Sequence, residues 1–199
     1  MVLPLIAAAF QRTGQCRIID LGGRAQYWNL FDRAFLEANK VHITTVNLEA
    51  PEGTADPMFT EVQGDTLSLP QFADNAFDLA HSNSVIEHVG DWGQMERFAA
   101  EALRLAPSYF VQTPYFWFPI EPHFTAPIFH WLPEGIRAGL LMRRAYGWAP
   151  KSADVGEAMR QVQSARLLDK AQMRYLFPDG RLVEEKVLGF TKSLMVVKP

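Results

Sequence analysis

The end of the chain constrains the architecture more than any other part of it. Arg181 to Lys198 holds two strand-like runs, LVEEKVLG and KSLMVVK, joined by so few residues that only a hairpin can connect them. Upstream, short apolar runs alternate with helix-spaced segments, the pattern of a mostly parallel sheet with helices on both faces. A doubly wound dinucleotide fold would continue into a sixth parallel strand. This chain turns back instead, so one strand of its sheet must run antiparallel.

Cys16 to Leu21 (CRIIDL) predicts the first strand, running into Gly22-Gly23. A strand followed by a glycine turn opens many nucleotide-binding α/β units. Trp28 to Lys40 carries Leu30, Phe31, Ala34, Phe35 and Ala38 at helical spacing. His42 to Leu48 and Phe59 to Gln63 read as the second and third strands. The ten residues between them, Glu49 to Met58, include two prolines and a glycine, so their crossover helix is expected to be a stub or absent. Ala76 to His81 predicts a fourth strand, Asp91 to Leu105 an amphipathic helix capped by Asp91, and Ser108 to Thr113 a fifth strand.

The alternation stops at Pro114. Between Pro114 and Pro133 the chain packs five prolines and seven aromatics into 20 residues, too proline-rich for a helix and too apolar for a solvated linker. Glu134 to Tyr146 and Leu167 to Phe177 read as helices, with a polar, mobile stretch from Lys151 to Ser164 between them. Met1 to Phe10 lacks the basic start of a signal peptide and reads as a helical turn or two at the domain edge.

Composition narrows the class. A chain of 199 residues with 48% hydrophobic and 21% charged residues suits one domain, burying roughly 70% of its unfolded surface. The single cysteine, Cys16, can form neither an internal disulfide nor a cysteine-cluster metal site, so a reducing, cytoplasmic setting is the default and no metal is assigned. A sequence pI of 5.9 argues against nucleic acid as the main partner. No apolar run reaches the roughly 20 residues that span a bilayer.

Ligands of open parallel sheets bind outside the carboxyl ends of the strands, where strand order reverses. Four segments meet that edge: Asp20 to Gly23, Asn47 to Glu49, Gly64 to Thr66, and Ser82 to Ser84. Glycines at the first turn let the backbone approach a ligand, or merely make a tight turn. Asp65 is suited to accept from an adenine amine, or to cap a turn. Ser82-Asn83-Ser84 also suits a helix cap for Val85 to Val89, in which His88 reads as a hydrogen-bonded structural histidine.

The order of these segments resembles the class I S-adenosylmethionine-dependent methyltransferases, especially the type 11 group. RIIDLGG is similar to that family's first glycine motif, VNLE to its second-strand motif, and GDTLSLPQFADNAFDLAHSNSVIEHV to its run from the third strand through the fourth. The resemblance covers about Arg17 to Thr113. It implies a Rossmann-like fold, a seven-stranded sheet closed by the antiparallel C-terminal hairpin strand, and S-adenosyl-L-methionine as cofactor. By position, Asp20, Gly22 and Gly23 would face the methionine moiety, Asn47 and Glu49 the ribose, and Asp65 and Thr66 the adenine. Ser82 and Asn83 would close the site below the sulfonium. The family's further glycines are replaced by Arg24, Ala25 and Gln26, and its acidic ribose ligand by Asn47.

Methyl transfer needs an acid-base residue only when the acceptor is protonated. His123, His130 and Glu121, in the aromatic-proline segment, are the catalytic candidates; a rigid EPHF turn and packing of His130 on Trp131 are their structural alternatives. Tyr115 and Trp117 would line an acceptor pocket or fill core. The Asn-Pro-Pro-aromatic motif of amino methylases acting on nucleic acid or protein glutamine is absent. Glu134 to Arg174 carries eight basic and four acidic residues, a net of +4 that leaves -7 for the rest of a -3 chain. That face could be solvated, or touch an anionic acceptor or a membrane surface.

The leading expectation is thus one domain, residues 1–199, in which 114–165 covers the acceptor site of a methyltransferase acting on a small molecule. A non-catalytic binding protein with a degenerate cofactor site is the alternative, motivated by the missing glycines. A nicotinamide-dependent oxidoreductase ranks third, since no GxGxxG follows the first strand. Aromatics from Phe116 to Trp131 would form a homodimer interface or lie within the monomer.

Overall fold

The structure, a computed structural model, describes residues 1–51 and 53–199. Seven strands form one sheet: β1 (Cys16–Leu21), β2 (Val41–Asn47), β3 (Phe59–Gln63), β4 (Leu79–Asn83), β5 (Ser108–Pro114), and the hairpin β8 (Arg181–Val187) and β9 (Phe190–Lys198). Their order is β3-β2-β1-β4-β5-β9-β8, with a separate two-stranded ribbon of β6 (Ile120–Glu121) and β7 (Ala126–Pro127). The first five strands are parallel, and β9 runs antiparallel to both β5 and β8. Rossmann-like topology and the antiparallel hairpin strand are therefore as the sequence implies.

Period-two alternation along the strands sorts side chains onto two faces. Ile19, Leu21, Val46, Tyr109, Val111 and Val196 point to one face, where α3 (Trp92–Leu105) and α6 (Lys170–Leu176) cover them. Cys16, Ile18, Ile43, Leu79, Phe110 and Val197 point to the other, beneath α1 (Val2–Thr13) and α2 (Arg33–Ala38). Each fully buried Ile or Leu contributes about 1.5–3 kcal/mol relative to exposure. The first helix is longer than a turn or two: Val2, Leu5, Ile6 and Ala9 form one buried stripe, and Gly14, at φ 76, caps it by donating to Phe10 O.

Four local readings need correction. Trp28 to Lys40 is not one helix but a 3₁₀ turn (Ala25–Leu30) followed by α2, because extended Phe31 and the Asp32 cap, which accepts from Ala34 N, restart the helix. The fourth strand runs from Leu79 to Asn83 instead of Ala76 to His81. Its approach is held by the Asp78 carboxylate, which accepts from Arg17 N, and the ladder then begins at Leu79. Lys151 to Ser164 contains a nine-residue helix, α5 (Val155–Gln163), started by Asp154 and tucked in through Ala158 and Val162. The helices expected over Glu134 to Tyr146 and Leu167 to Phe177 are shorter, α4 (Glu134–Leu141) and α6, the latter opened by an Asp169–Gln172 capping box.

No helix lies between β2 and β3 among the described residues, as the prolines dictate; of that segment, Glu52 lies outside the described residues. The aromatic-proline segment folds into the ribbon β6–β7 and a 3₁₀ turn, Phe129–Trp131. With α4 and α5 it builds a third small core of Phe124, Phe129, Ala138, Leu141, Ala158 and Val162. No helix is long and apolar enough to cross a membrane among the described residues.

Candidate active site

Strand order reverses between β1 and β4, and a cavity of about 610 Å³ opens there, within the range of small-molecule sites. Its lining includes Gly22 after β1, Asn47 at the end of β2 and Glu49 beyond it, Asp65 and Thr66 after β3, and Ser84, Val85 and His88 after β4. Gly22 donates to Val46 O at 2.8 Å and sits at φ 73, and a Cβ there would lie 2.6 Å from Val85 Cγ1. Both the left-handed backbone and the close approach require glycine. At Gly23 a Cβ would fall onto the Asp20 carboxylate. Gly23 thus lets the turn close over Asp20, and Gly22 lets the backbone pass against Val85 at the cavity.

Asp20 itself stands behind the wall. It is fully buried, accepting from Trp28 Nε1 at 2.8 Å and from His81 Nδ1 at 2.7 Å. Ser82 is equally buried and donates to Leu21 O. Neither lines the cavity, in contrast to the sequence reading: donors from neighbouring elements claim their polar atoms first. Asn83 leads to Ser84, which turns the chain at φ 57 and lines the cavity in its place. Asn47 donates through Nδ2 to Gly23 O at 2.8 Å, tying the second strand to the glycine turn. Glu49 accepts from Arg24 at 3.0 Å, so the residue replacing a family glycine bridges the cavity mouth. One Asp65 oxygen caps Leu67 N at 3.0 Å.

A second cavity of about 250 Å³ lies between the sheet domain and the segment after β5. Trp92, Met95 and Leu168 contribute from the sheet side; Glu121, His130 and Arg137 contribute from the other. His130 donates through Nε2 to Phe116 O at 2.6 Å, which leaves Nδ1 buried with no partner among the described residues. Burial holds the His130 imidazole below its ordinary pKa despite that bond. Burial also lowers the pKa of Arg137, whose Nε lacks a partner among the described residues. Tyr115 packs on the main core, while Trp117 is exposed.

A chain of polar contacts joins the two cavities. Glu121, buried, accepts from His123 Nδ1 at 2.7 Å and from Phe124 N, so EPHF is both a turn and part of the site. His123 Nε2 lies 3.1 Å from Nε2 of His88, whose Nδ1 donates to Ser164 O at 2.8 Å. Burial pulls the His123 pKa down, but the bonded Glu121 and nearby Glu87 outweigh it and hold the pKa above the ordinary value. Of the three catalytic candidates, Glu121 and His123 are bonded directly, and Glu121 shares its cavity with His130. The sequence reading missed Glu87 and gave His88 only a structural role. His88 has the hydrogen bond that reading foresaw, yet it also meets the cavity. Adjacent Glu87-His88 at the exit of the fourth strand, together with Glu121-Pro122-His123, was the available signal.

Residues 20–107 match the family model for a methyltransferase domain. No protein of curated function matches the sequence. Among solved structures, a SAM-dependent methyltransferase of Methanosarcina mazei superposes with a TM-score of 0.57 at 14% identity, over 98% of this chain and 95% of that one. A counterpart from Mesorhizobium loti gives 0.53 at 17% identity over the same shares. The 1,6-didemethyltoxoflavin-N1-methyltransferase of Burkholderia thailandensis, solved with 1,6-didemethyltoxoflavin and S-adenosylhomocysteine, gives 0.53 at 15%, covering 98% of this chain and 76% of that one. At such identities the likeness is one of fold. Residues 20–107 thus resemble a methyltransferase domain, and the whole chain shares its sheet architecture with S-adenosylmethionine-dependent methyltransferases.

Proposed function

We propose that the chain binds S-adenosylmethionine in the cavity at the β1–β4 reversal and transfers its methyl group to a small acceptor held beneath residues 114–165. The observation that carries this reading is the cavity itself, large enough for the cofactor and lined by Gly22 and by Asn47, Glu49 and Asp65. With Asn47 Nδ2 committed to Gly23 O, its carbonyl is oriented to accept from a ribose hydroxyl, beside Glu49. The second Asp65 oxygen suits the adenine amine, and Thr66 packs at that end.

When bound, the cofactor supplies an electrophilic methyl on a sulfonium. This chain's residues then position an acceptor and keep water out. The cover's small core supports the acceptor cavity from outside. Arg137 there favours an anionic group, and Glu121 with His123 or His130 can take a proton from an acceptor that carries one.

Calorimetry with S-adenosylhomocysteine tests the reading. Asp65→Ala should weaken binding roughly three- to tenfold, as expected for loss of one hydrogen bond worth about 0.5–1.5 kcal/mol. Absence of binding to folded protein at about 1 mM ligand, a free energy near −4 kcal/mol, would sink it. The Arg24–Glu49 bridge across the mouth favours a second reading, a non-catalytic binding protein of this fold. Turnover on any acceptor would exclude that one.

A further inference from the structure

With both imidazoles neutral, the polar chain between the cavities does not close as a set of hydrogen bonds. Ser164 O can only accept, so His88 Nδ1 carries its proton. Glu121 accepts from Phe124 N with one oxygen and engages His123 Nδ1 with the other, so that nitrogen carries its proton too. Neutral imidazole has one proton, already placed on each ring. The two Nε2 atoms therefore meet at 3.1 Å as two lone pairs, with the rings 89° apart.

An independent group points at the same place. Glu87 is 1% exposed; its Oε2 accepts from Thr113 Oγ1 at 2.9 Å, while Oε1 is buried with no hydrogen-bond partner among the described residues. Ligand atoms from Glu87, His88 and His123 all lie within 4.8 Å of one another. Three electron-pair donors converge, and one of them is a buried carboxylate oxygen that burial without a partner penalises.

We infer that Glu87, His88 and His123 form a binding site for a divalent transition metal of the zinc type, held through the Glu87 carboxylate and the two Nε2 atoms. Nitrogens bound to tetrahedral zinc at about 2.0–2.1 Å stand about 3.3 Å apart, close to the spacing found here. Two histidines, one carboxylate and an open fourth position make up a ligand set used by catalytic zinc. The outer contacts agree: a ligating histidine usually donates its other N–H to a carboxylate or a backbone carbonyl, as His123 does to Glu121 and His88 to Ser164. The two imidazole donors favour zinc over magnesium or calcium. If the methyltransferase reading holds, the fourth position would take an oxygen of the acceptor; the metal site does not itself depend on that reading.

Full-length protein, stripped with chelator and dialysed, should take up one Zn²⁺ by calorimetry and elemental analysis. Co²⁺ in its place should give the visible absorption of four- or five-coordinate cobalt. His88→Ala, at an exposed side chain whose loss spares the core, and His123→Ala should each weaken Zn²⁺ binding by at least about 100-fold. Glu121→Gln, which changes only the outer contact, should cost about 10–100-fold, and His42→Ala on β2 nothing. Failure of the folded protein to bind Zn²⁺ would mean a proton joins the two rings, and would overturn the inference. Uptake indifferent to His88→Ala and His123→Ala would overturn it as adventitious. Loss of S-adenosylhomocysteine binding with zinc uptake intact would instead refute the methyltransferase reading alone.

Discussion

Replacing Asp20 with alanine removes the acceptor for two buried donors at once, Trp28 Nε1 and His81 Nδ1. Each buried donor left without a partner costs about 1–3 kcal/mol, so the pair should cost about 2–6 kcal/mol. A domain of this length shifts its midpoint by roughly 2–4 °C per kcal/mol, which predicts a fall on the order of 10 °C for Asp20→Ala. Asp20→Asn distinguishes this account from a mere volume effect. Its Oδ1 can still accept from Trp28, and its amide can donate to His81 Nδ1 once the imidazole proton moves to Nε2, which is buried and without a partner among the described residues. Asparagine should therefore recover most of the loss. Thermal and urea unfolding followed by circular dichroism on all three proteins give the comparison. An alanine variant within about 1 kcal/mol of the parent, or an asparagine variant as unstable as alanine, would refute the claim that these bonds hold the glycine turn in place.

At Gly22, alanine should destabilise by more than the roughly 1 kcal/mol of a left-handed backbone alone, because Val85 lies in the path of its Cβ. Gly22→Ala with Val85→Ala should recover the steric part only, and chemical denaturation of the double-mutant cycle measures the coupling; additivity would argue against the contact. Burial pushes the Cys16 thiol up to about 12. The unfolded chain releases that proton near pH 8.5, so the stability this group contributes is complete below about pH 8.5 and drains away toward pH 12. Urea midpoints on either side of that threshold, compared with Cys16→Ala, check the sign, and the variant should lack this component of the alkaline loss.

The fold was legible because its signals are local and repeated. Apolar runs ending in Gly22-Gly23, Asn47 and Gly64 mark strand exits, and the tight C-terminal connection permits little besides an antiparallel hairpin. Boundaries were less so: nothing in ANKVH announces that Val41 starts a strand, and the helix over Val155–Gln163 hides its apolar stripe in two residues, Ala158 and Val162. The cavity edge followed from topology, and Asn47, Glu49, Asp65 and Thr66 line it. Which polar group at an edge faces inward was not legible, since Asp20 is claimed by Trp28 and His81, one of them sixty-one positions away. The His88–His123 approach spans thirty-five positions and depends on how the aromatic-proline segment folds back. Residue spacing carries no record of that.

The far end of α5 is fastened to the strand-four exit twice, by Ser164 O accepting from His88 and by Arg166 N donating to Glu87 O at 2.7 Å. Both anchors fall on the same two residues. Any motion that lifts this end of the helix must pull on that turn, and releasing Ser164 removes the hydrogen bond at His88 Nδ1. The position of this helix end and the aim of His88 are therefore mechanically linked: the hydrogen bond that fastens Ser164 also sets the imidazole.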